Sequence, residues 1–139
     1  MTETNLQTLL ATLSPYLDPK EMVFCCLGGF PDLTELPTPP FAFIKEEEGW
    51  TVILEKDMAD TLGWIYEGVF CRITLEVHSS LEAVGLTAVV ATELAKQNIS
   101  ANVVAAAFHD HVFVPAERAS DALVCLQSIQ AQSEPTVIG

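Results

Sequence analysis

The second half of the chain carries a pattern of apolar residues that restricts its fold more than any other feature of the sequence. Residues 70–77 alternate between apolar and polar, as a strand with one buried face does. Leu86, Val89, Val90 and Leu94 then form a helical stripe that ends near Asn98, a residue suited to closing a helix. Residues 100–108 and 111–114 read as a hairpin across His109-Asp110, and Pro115 opens a last helix. This order of elements predicts an α+β unit, an antiparallel sheet with helices packed on one face.

The first half contains similar elements in a less regular arrangement. Leucines at helical spacing from Leu6 to Leu17 predict an N-terminal helix, which Pro15 and Pro19 bring to an end. Four prolines between Pro31 and Pro40 predict a loop. The other predicted elements are a buried strand at residues 22–27, a hairpin of residues 41–45 and 50–55 around Glu47-Glu48-Gly49, and a short helix at residues 57–64.

Short matches between the two halves indicate a duplicated unit. At a shift of 80 positions, residues 9–12 resemble residues 89–92, and Val23-Phe24 resembles Val103-Val104; at a shift of 61, residues 59–62 resemble residues 120–123. The change of shift predicts an insertion in the first copy at about residues 29–47. We therefore expect one unit in residues 1–66 and a second, better preserved unit in residues 67–139.

The charge of the chain is strongly acidic, with 19 Asp and Glu against 6 Lys and Arg and a net charge of −13. Such a polyanion repels phosphate backbones and anionic lipid surfaces, so we expect no nucleic-acid or membrane partner. The simplest role of this charge is to keep an apolar protein in solution. No basic N-terminal segment precedes an apolar run, and no run of about 18 apolar residues occurs, so neither a signal peptide nor a membrane span is predicted.

The cysteines give no sign of a metal or redox motif. Cys25, Cys26, Cys71 and Cys125 form no C-x-x-C pair. Buried, reduced thiols are typical of a cytoplasmic protein, so we expect buried thiols and a cytoplasmic location.

Several motifs of the second half resemble a known family of regulatory domains. They are Ile73-Thr74-Leu75-Glu76-Val77, Gly85-Leu86, residues 98–104, and Asp110 followed by Val112-Phe113-Val114-Pro115. In these motifs residues 67–139 resemble the ACT domain, in particular the subgroup found in cytosolic arginine sensors and in small tandem-ACT bacterial proteins. Residues 1–66 are identified as a diverged ACT-like unit mainly through the internal repeat.

The resemblance implies two ferredoxin-like units that bind a small molecule, usually an amino acid, and pair side by side. In ACT domains the ligand lies where the loop after the first strand meets a neighbouring unit. The implied ligand-binding residues are His78, Ser79, Ser80, Glu82, Val84, Gly85, Leu86, His109 and Asp110. A glycine at a helix start lets backbone N–H groups approach a ligand, and the positive end of the helix attracts a carboxylate.

The three histidines are the other candidates for chemistry. His78 follows the first strand of the second unit, and His109 and His111 flank its hairpin turn, so the topology brings all three to one end of the sheet. With Asp110 or Glu82 they could approach a divalent metal, although solvated loop histidines are the simpler interpretation, and no metal or other cofactor is predicted. Neither G-x-S-x-G, nor a P-loop, nor G-x-G-x-x-G occurs.

The leading hypothesis is therefore a non-catalytic regulatory protein of the ACT type that binds an amino acid or a related metabolite as a homodimer. A dimer is expected because an isolated four-stranded sheet leaves an edge or a face to cover. Two alternatives stay open: a small enzyme of the dimeric α+β-barrel monooxygenase type, and a protein-interaction module that binds through an edge strand.

Overall fold

The structure, a computed structural model, describes residues 5–134, which divide by spatial contact into two compact units. Unit 1 comprises residues 5–18 and 71–134, and unit 2 comprises residues 19–70. The elements are α1 (Leu6–Ala11), β1 (Pro15–Leu27), β2 (Ala42–Lys45), β3 (Trp50–Glu55), α2 (Lys56–Leu62), β4 (Phe70–Leu75), α3 (Leu86–Lys96), β5 (Asn102–Ala105), β6 (Asp110–Pro115) and α4 (Ala119–Ser133), with short 3-10 helices at Leu33–Glu35 and Ala116–Arg118. The predicted α+β class is confirmed. No described helix has the length and hydropathy that a membrane crossing needs.

Unit 1 has the sheet order β1-β4-β6-β5, and residues 15–18 are the part of β1 that belongs to this unit. The amide N–H groups of Glu76 and Val77 donate to the carbonyls of Ser14 and Leu13 at 3.1 and 3.3 Å, so the chain before β1 extends the antiparallel pairing with β4. This is the ferredoxin-like strand order, with the fourth strand supplied from the N-terminal side of the chain. Thr136–Ile138, which the sequence left as a possible final strand, lies outside the described residues.

The core of unit 1 lies between this sheet and the helices α1, α3 and α4. Cys71, Ile73 and Leu75 of β4 are buried while Arg72 and Thr74 are half-buried, which is the alternation predicted for residues 70–77. Leu9 and Leu13 have no exposed surface and belong to the same core. The N-terminal segment is therefore an integral part of the second half's core.

The N-terminal helix is shorter than the leucine spacing predicts. It ends at Ala11, and Ser14 takes a left-handed backbone conformation with φ of 50° before β1 begins at Pro15. Pro15 cannot donate the hydrogen bond that would continue the helix, and it disfavours helical geometry at Ser14. Leu13 and Leu17 still face apolar neighbours, so the apolar spacing continues beyond the helix that it suggested.

Unit 2 is a smaller sheet of order β2-β3-β1 with α2 packed against it. Its core contains Val23, Cys25, Val52, Leu54, Met58 and Ala59. No α-helix stands between β1 and β2 in the described chain; the connection is a loop from Gly28 to Phe41 that contains the 3-10 helix Leu33–Glu35.

The hairpins of the two units have the same register. Ala42 faces Ile53 and Lys45 faces Trp50, while Asn102 faces Phe113 and Ala105 faces Asp110, so each position differs from its counterpart by 60 residues. β2 therefore corresponds to β5. The predicted match of Val23-Phe24 with Val103-Val104 is wrong, because Val23 and Phe24 lie in β1, whereas Val103 and Val104 lie in β5. The insertion predicted at about residues 29–47 includes β2, although β2 has a counterpart, β5, in the other unit. The sequence division at residues 66 and 67 stays a prediction, because units defined by contact do not locate the boundary of a repeat.

Candidate functional site

Two segments of unit 1 place the predicted site residues at the end of the sheet where β4 finishes and β6 starts. They are the loop from Glu76 to Gly85, between β4 and α3, and the turn between β5 and β6. The rings of His78 and His109 lie edge to face, with centroids 5.0 Å apart and planes at 85°. The predicted convergence of the loop and the turn is thus present in the structure.

A buried carboxylate forms the polar centre of this region. Asp110 and Ser79 are 9% and 7% exposed, and the Ser79 hydroxyl donates to Oδ2 of Asp110 over 3.4 Å. Burial raises the pKa of Asp110, while the Ser79 hydrogen bond and the nearby His109 act in the opposite direction. A single long hydrogen bond is weak compensation for a desolvated carboxylate, so this group is poised to accept a further donor or a positive charge.

A second buried polar atom lies next to that carboxylate along the chain. Nδ1 of His109 is shielded from solvent and has no hydrogen-bond partner among the described residues. An unsatisfied buried polar atom costs on the order of 1–3 kcal/mol, so such atoms are rare unless a bound group completes them.

The helix that follows the loop begins without a side-chain cap. Gly85 is the residue before α3, with φ of 101°, and no side chain among the described residues caps this helix. These groups have no partner inside the helix, and they carry the positive end of its dipole. The backbone conformation favours glycine, and a Cβ atom at Gly85 would approach Cδ2 of Leu6 to 3.0 Å, so that methyl group would have to shift.

The remaining predicted residues occupy different environments. Ser80 shapes the loop, since its hydroxyl accepts from the N–H of Glu82 at 3.1 Å. Glu82 is exposed and Val84 is 83% exposed. Leu86 is buried in the core of unit 1, so only its backbone could face a ligand.

His111, in β6, makes its side-chain contact with β4, which the sequence pattern did not indicate. Its Nδ1 is 3.0 Å from the Thr74 hydroxyl. Burial, with smaller contributions from Arg72 and His109, lowers the pKa of His111 to about 4. Arg72 in turn pairs with Asp18 at 2.8 Å. The alternation of β4 places Arg72 and Thr74 on one face, but the partners on β1 and β6 follow only from the strand order.

Metal binding by the histidines gains no support from the geometry. Within residues 5–134, no three side chains of the His, Cys, Asp and Glu types are grouped so as to hold a metal ion. His78 and His109 meet through their rings, and His111 is engaged with Thr74.

A cleft of about 500 Å³ between α3 and α4 is a feature that the sequence did not suggest. Its one arginine, Arg118, is already occupied, because the guanidinium donates to the carbonyls of Gln97 and Asn98 and to Asp121. The cleft therefore offers no available cation for an anionic ligand, and its arginine joins the end of α3 to the start of α4.

Two family models match the chain, and together they cover most of it. A model described as an ACT domain matches residues 1–72, and another of the same description matches residues 71–128. The chain belongs to the ACT domain family. The two matches make it a tandem ACT protein, with regulatory domains of ferredoxin-like fold, and neither match indicates a catalytic family.

Solved structures agree with this ACT assignment. A Vibrio cholerae protein described as of unknown function and as a possible transport protein is 44% identical, with a TM-score of 0.80 over 90% of this chain and 95% of that chain. The regulatory subunits of aspartate kinase from Thermus flavus and Thermus thermophilus are 15% and 14% identical, with TM-scores of 0.64 and 0.66. They cover 83% and 85% of this chain and 95% and 97% of their own chains, and at this identity they show the fold alone. No curated protein sequence matches the chain.

Proposed function

We propose that this tandem ACT protein is a non-catalytic regulator that binds an amino acid at the loop between β4 and α3. The proposal rests on two groups of opposite charge preference that lie beside one loop. The uncapped first turn of α3 offers N–H groups to a carboxylate, and the buried Asp110 offers a negative charge to an ammonium group. The carboxylate and ammonium groups of an amino acid complement these two groups.

The buried Nδ1 of His109 supports a ligand with a further polar group. This atom has no partner among the described residues, and a bound molecule that supplied one would remove the cost of leaving it unsatisfied. His109 and Asp110 are adjacent at the turn, so one ligand could satisfy both.

We further propose that a second copy of the chain covers this region, which makes the working form a homodimer. Leu81, Val84 and Phe108 are 69%, 83% and 74% exposed, and they belong to the same loop and turn as the candidate site. Exposed apolar side chains next to a polar site are typical of a surface that associates. The cytoplasm is the proposed location, in keeping with the free cysteines at positions 25, 26, 71 and 125.

A thermal-shift screen of the full chain against the twenty amino acids tests the proposal. A ligand at about a thousand times its Kd should add about 4 kcal/mol to the free energy of unfolding. The absence of stabilisation by any amino acid at millimolar concentration would contradict the proposal.

The substitution Asp110→Asn separates binding from folding. Because the pKa of Asp110 is raised in the folded state, its ionisation above the unfolded value of 3.8 destabilises the fold, and the neutral amide removes this cost. We expect the variant to be at least as stable as the parent chain at pH 7 and to lose the response to the ligand found in the screen. Glu117→Gln, which removes an exposed charge from the same unit, is the control and should keep that response. An unchanged ligand affinity in Asp110→Asn would remove this residue from the site.

A further inference from the structure

Unit 2 contains a cavity beside a loop that stands, in the order of its elements, where unit 1 has a helix. In unit 1, α3 connects β4 to β5 and packs against α4. In unit 2 the equivalent connection, between β1 and β2, is the loop from Gly28 to Phe41, and no second α-helix packs beside α2 in the described part of this unit. A cavity of about 300 Å³ remains between this loop and α2.

The walls of the cavity combine apolar and acidic groups. The residues that line it are Glu35, Pro37, Thr38, Glu55, Asp57, Met58, Thr61 and Leu62. Met58 belongs to the core of unit 2, and Leu62 packs against that core. The cavity therefore has an apolar floor that continues the core, with three carboxylates around it.

The loop that forms one wall is held in place by its own hydrogen bonds. Oδ1 of Asp32 accepts from the N–H of Thr34 at 2.9 Å and from its hydroxyl at 2.6 Å. Leu36 packs against the core of the unit, on the chain between the lining residues Glu35 and Pro37. A wall fixed at both of these points gives a cavity that exists before any ligand binds, which reduces the entropy lost on binding.

The charges around the cavity are only partly compensated. Glu55 pairs with Lys20 at 3.1 Å. Glu35 and Asp57 make no ion pair with any described residue, and no basic residue lines the cavity. Both side chains are exposed at the cavity. An apolar cavity bordered by carboxylates that make no ion pair favours a ligand that has an apolar body and a positive charge.

We propose that this cavity is a second binding site, separate from the loop between β4 and α3, and that it takes a small organic cation such as a primary amine with an apolar body. The apolar body lies in the cavity beside Met58 and Leu62. The ammonium group lies between the carboxylates of Glu35 and Asp57.

Titration of the isotope-labelled full chain with benzylamine, followed by NMR, tests the proposal. Benzyl alcohol and benzoate have nearly the same shape and replace the cation by a neutral group and by an anion. We expect benzylamine to shift the amide signals of residues 35–38 and 55–62, benzyl alcohol to bind more weakly there, and benzoate not to bind. The double substitution Glu35→Gln with Asp57→Asn should raise the Kd for benzylamine by about tenfold or more, because it removes two charge-assisted contacts.

The double substitution Glu47→Gln with Glu48→Gln is the matched control, since it removes the same charge from the exposed β2–β3 turn of the same unit. It should leave the Kd for benzylamine unchanged. The proposal is overturned if the neutral and cationic probes bind equally, if the control weakens binding as much as the cavity variant, or if the shifted signals lie outside residues 35–62. An amino acid bound at the first site would instead shift signals of residues 76–88 and 108–110, so the two proposals can fail independently.

Discussion

Gly85 is a residue at which backbone conformation and packing both disfavour a side chain. Its φ of 101° is costly for any other residue, and an added Cβ would come within 3.0 Å of Leu6. Gly63 has a left-handed φ of 70° with open space around its Cβ position, and Gly28 has open space and no such φ. Substitutions at these three glycines can therefore distinguish the cost of backbone strain from the cost of a steric contact.

We predict that Gly85→Ala lowers the free energy of unfolding by about 2 kcal/mol, Gly63→Ala by about 1 kcal/mol, and Gly28→Ala by less than about 0.5 kcal/mol. Urea denaturation of the three variants measures the differences. Equal effects of Gly85→Ala and Gly63→Ala would show that α1 gives way to the added methyl group without cost.

His111 should make the stability of the protein depend on pH in a defined window. Its pKa falls from 6.5 to about 4 on folding, so between these values the unfolded chain binds more protons than the folded one. The free energy of unfolding therefore decreases as the pH is lowered from 6.5 towards 4, with a slope of at most about 1.4 kcal/mol per pH unit from this residue.

We predict that His111→Asn reduces this slope, as measured by urea denaturation at a series of pH values. His78→Asn is the control, because the side chain of His78 is exposed, and it should leave the slope as in the parent chain. If both variants behave alike, the burial of His111 is not the source of the pH dependence.

At the scale of elements, the two hairpins share one register but use different turn residues. Gly49 and His109 occupy equivalent positions, 60 residues apart, immediately before β3 and β6. Gly49 has a φ of 151°, and an added Cβ would lie 2.5 Å from the carbonyl oxygen of Leu27. The glycine lets the backbone of β1 approach closely, whereas the histidine at the same turn position faces His78.

We predict that Gly49→Ala destabilises the protein by on the order of 2–3 kcal/mol, because the added atom meets backbone that cannot move aside easily. His109→Ala, the substitution at the equivalent position, should cost less than about 1 kcal/mol, because it removes a partly exposed ring with an unsatisfied nitrogen. Thermal denaturation of both variants checks the contrast. A larger loss for His109→Ala would mean that the histidine pair supports the fold.

The elements of the second half followed their sequence pattern closely, and those of the first half did so less. The apolar periodicity of residues 70–77 and 86–94 predicted β4 and α3, because one buried face decides the structure of each. The predicted helix end near Asn98 is confirmed, since α3 ends at Lys96 and Asn98 has a left-handed φ of 58°. The leucines from Leu6 to Leu17 predicted too long a helix, because an apolar side chain can reach a core from a helix, a turn or a strand.

At the scale of the whole molecule, unit 1 is assembled from segments at the two ends of the described chain. Leu9 and Leu13 are fully buried, and apart from these two and Leu10 the buried residues of their core all lie between Cys71 and Ile129. Fully burying such a side chain contributes roughly 1.5–3 kcal/mol. A fragment that begins at residue 67 therefore lacks a substantial part of the core that its helices and sheet require, together with the strand that borders β4.

We predict that a fragment of residues 67–139 lacks stable tertiary structure, and that a peptide of residues 1–18 added in trans restores it. Far-UV circular dichroism and the dispersion of amide NMR signals measure the recovery. A peptide with Leu9→Asp and Leu13→Asp is the control and should restore nothing. A fragment that folds fully without any peptide would show that α1 and the start of β1 are dispensable.

The sequence by itself determined the α+β class, the tandem ACT resemblance and the elements of residues 70–130, because local periodicity and turn residues act over short stretches of chain. The sequence also predicted that the loop at His78 and the turn at His109 lie at one end of the sheet, because their positions follow from the strand order. Only the tertiary structure decided that Ser79 meets Asp110, that His111 meets Thr74, and that the repeat runs through β2 and β5. Those contacts depend on pairing between segments distant in sequence, where one residue of register reverses every side chain. The N-terminal helix shows the same limit: its leucines required a buried environment, and the fold alone placed that environment in the second half of the chain.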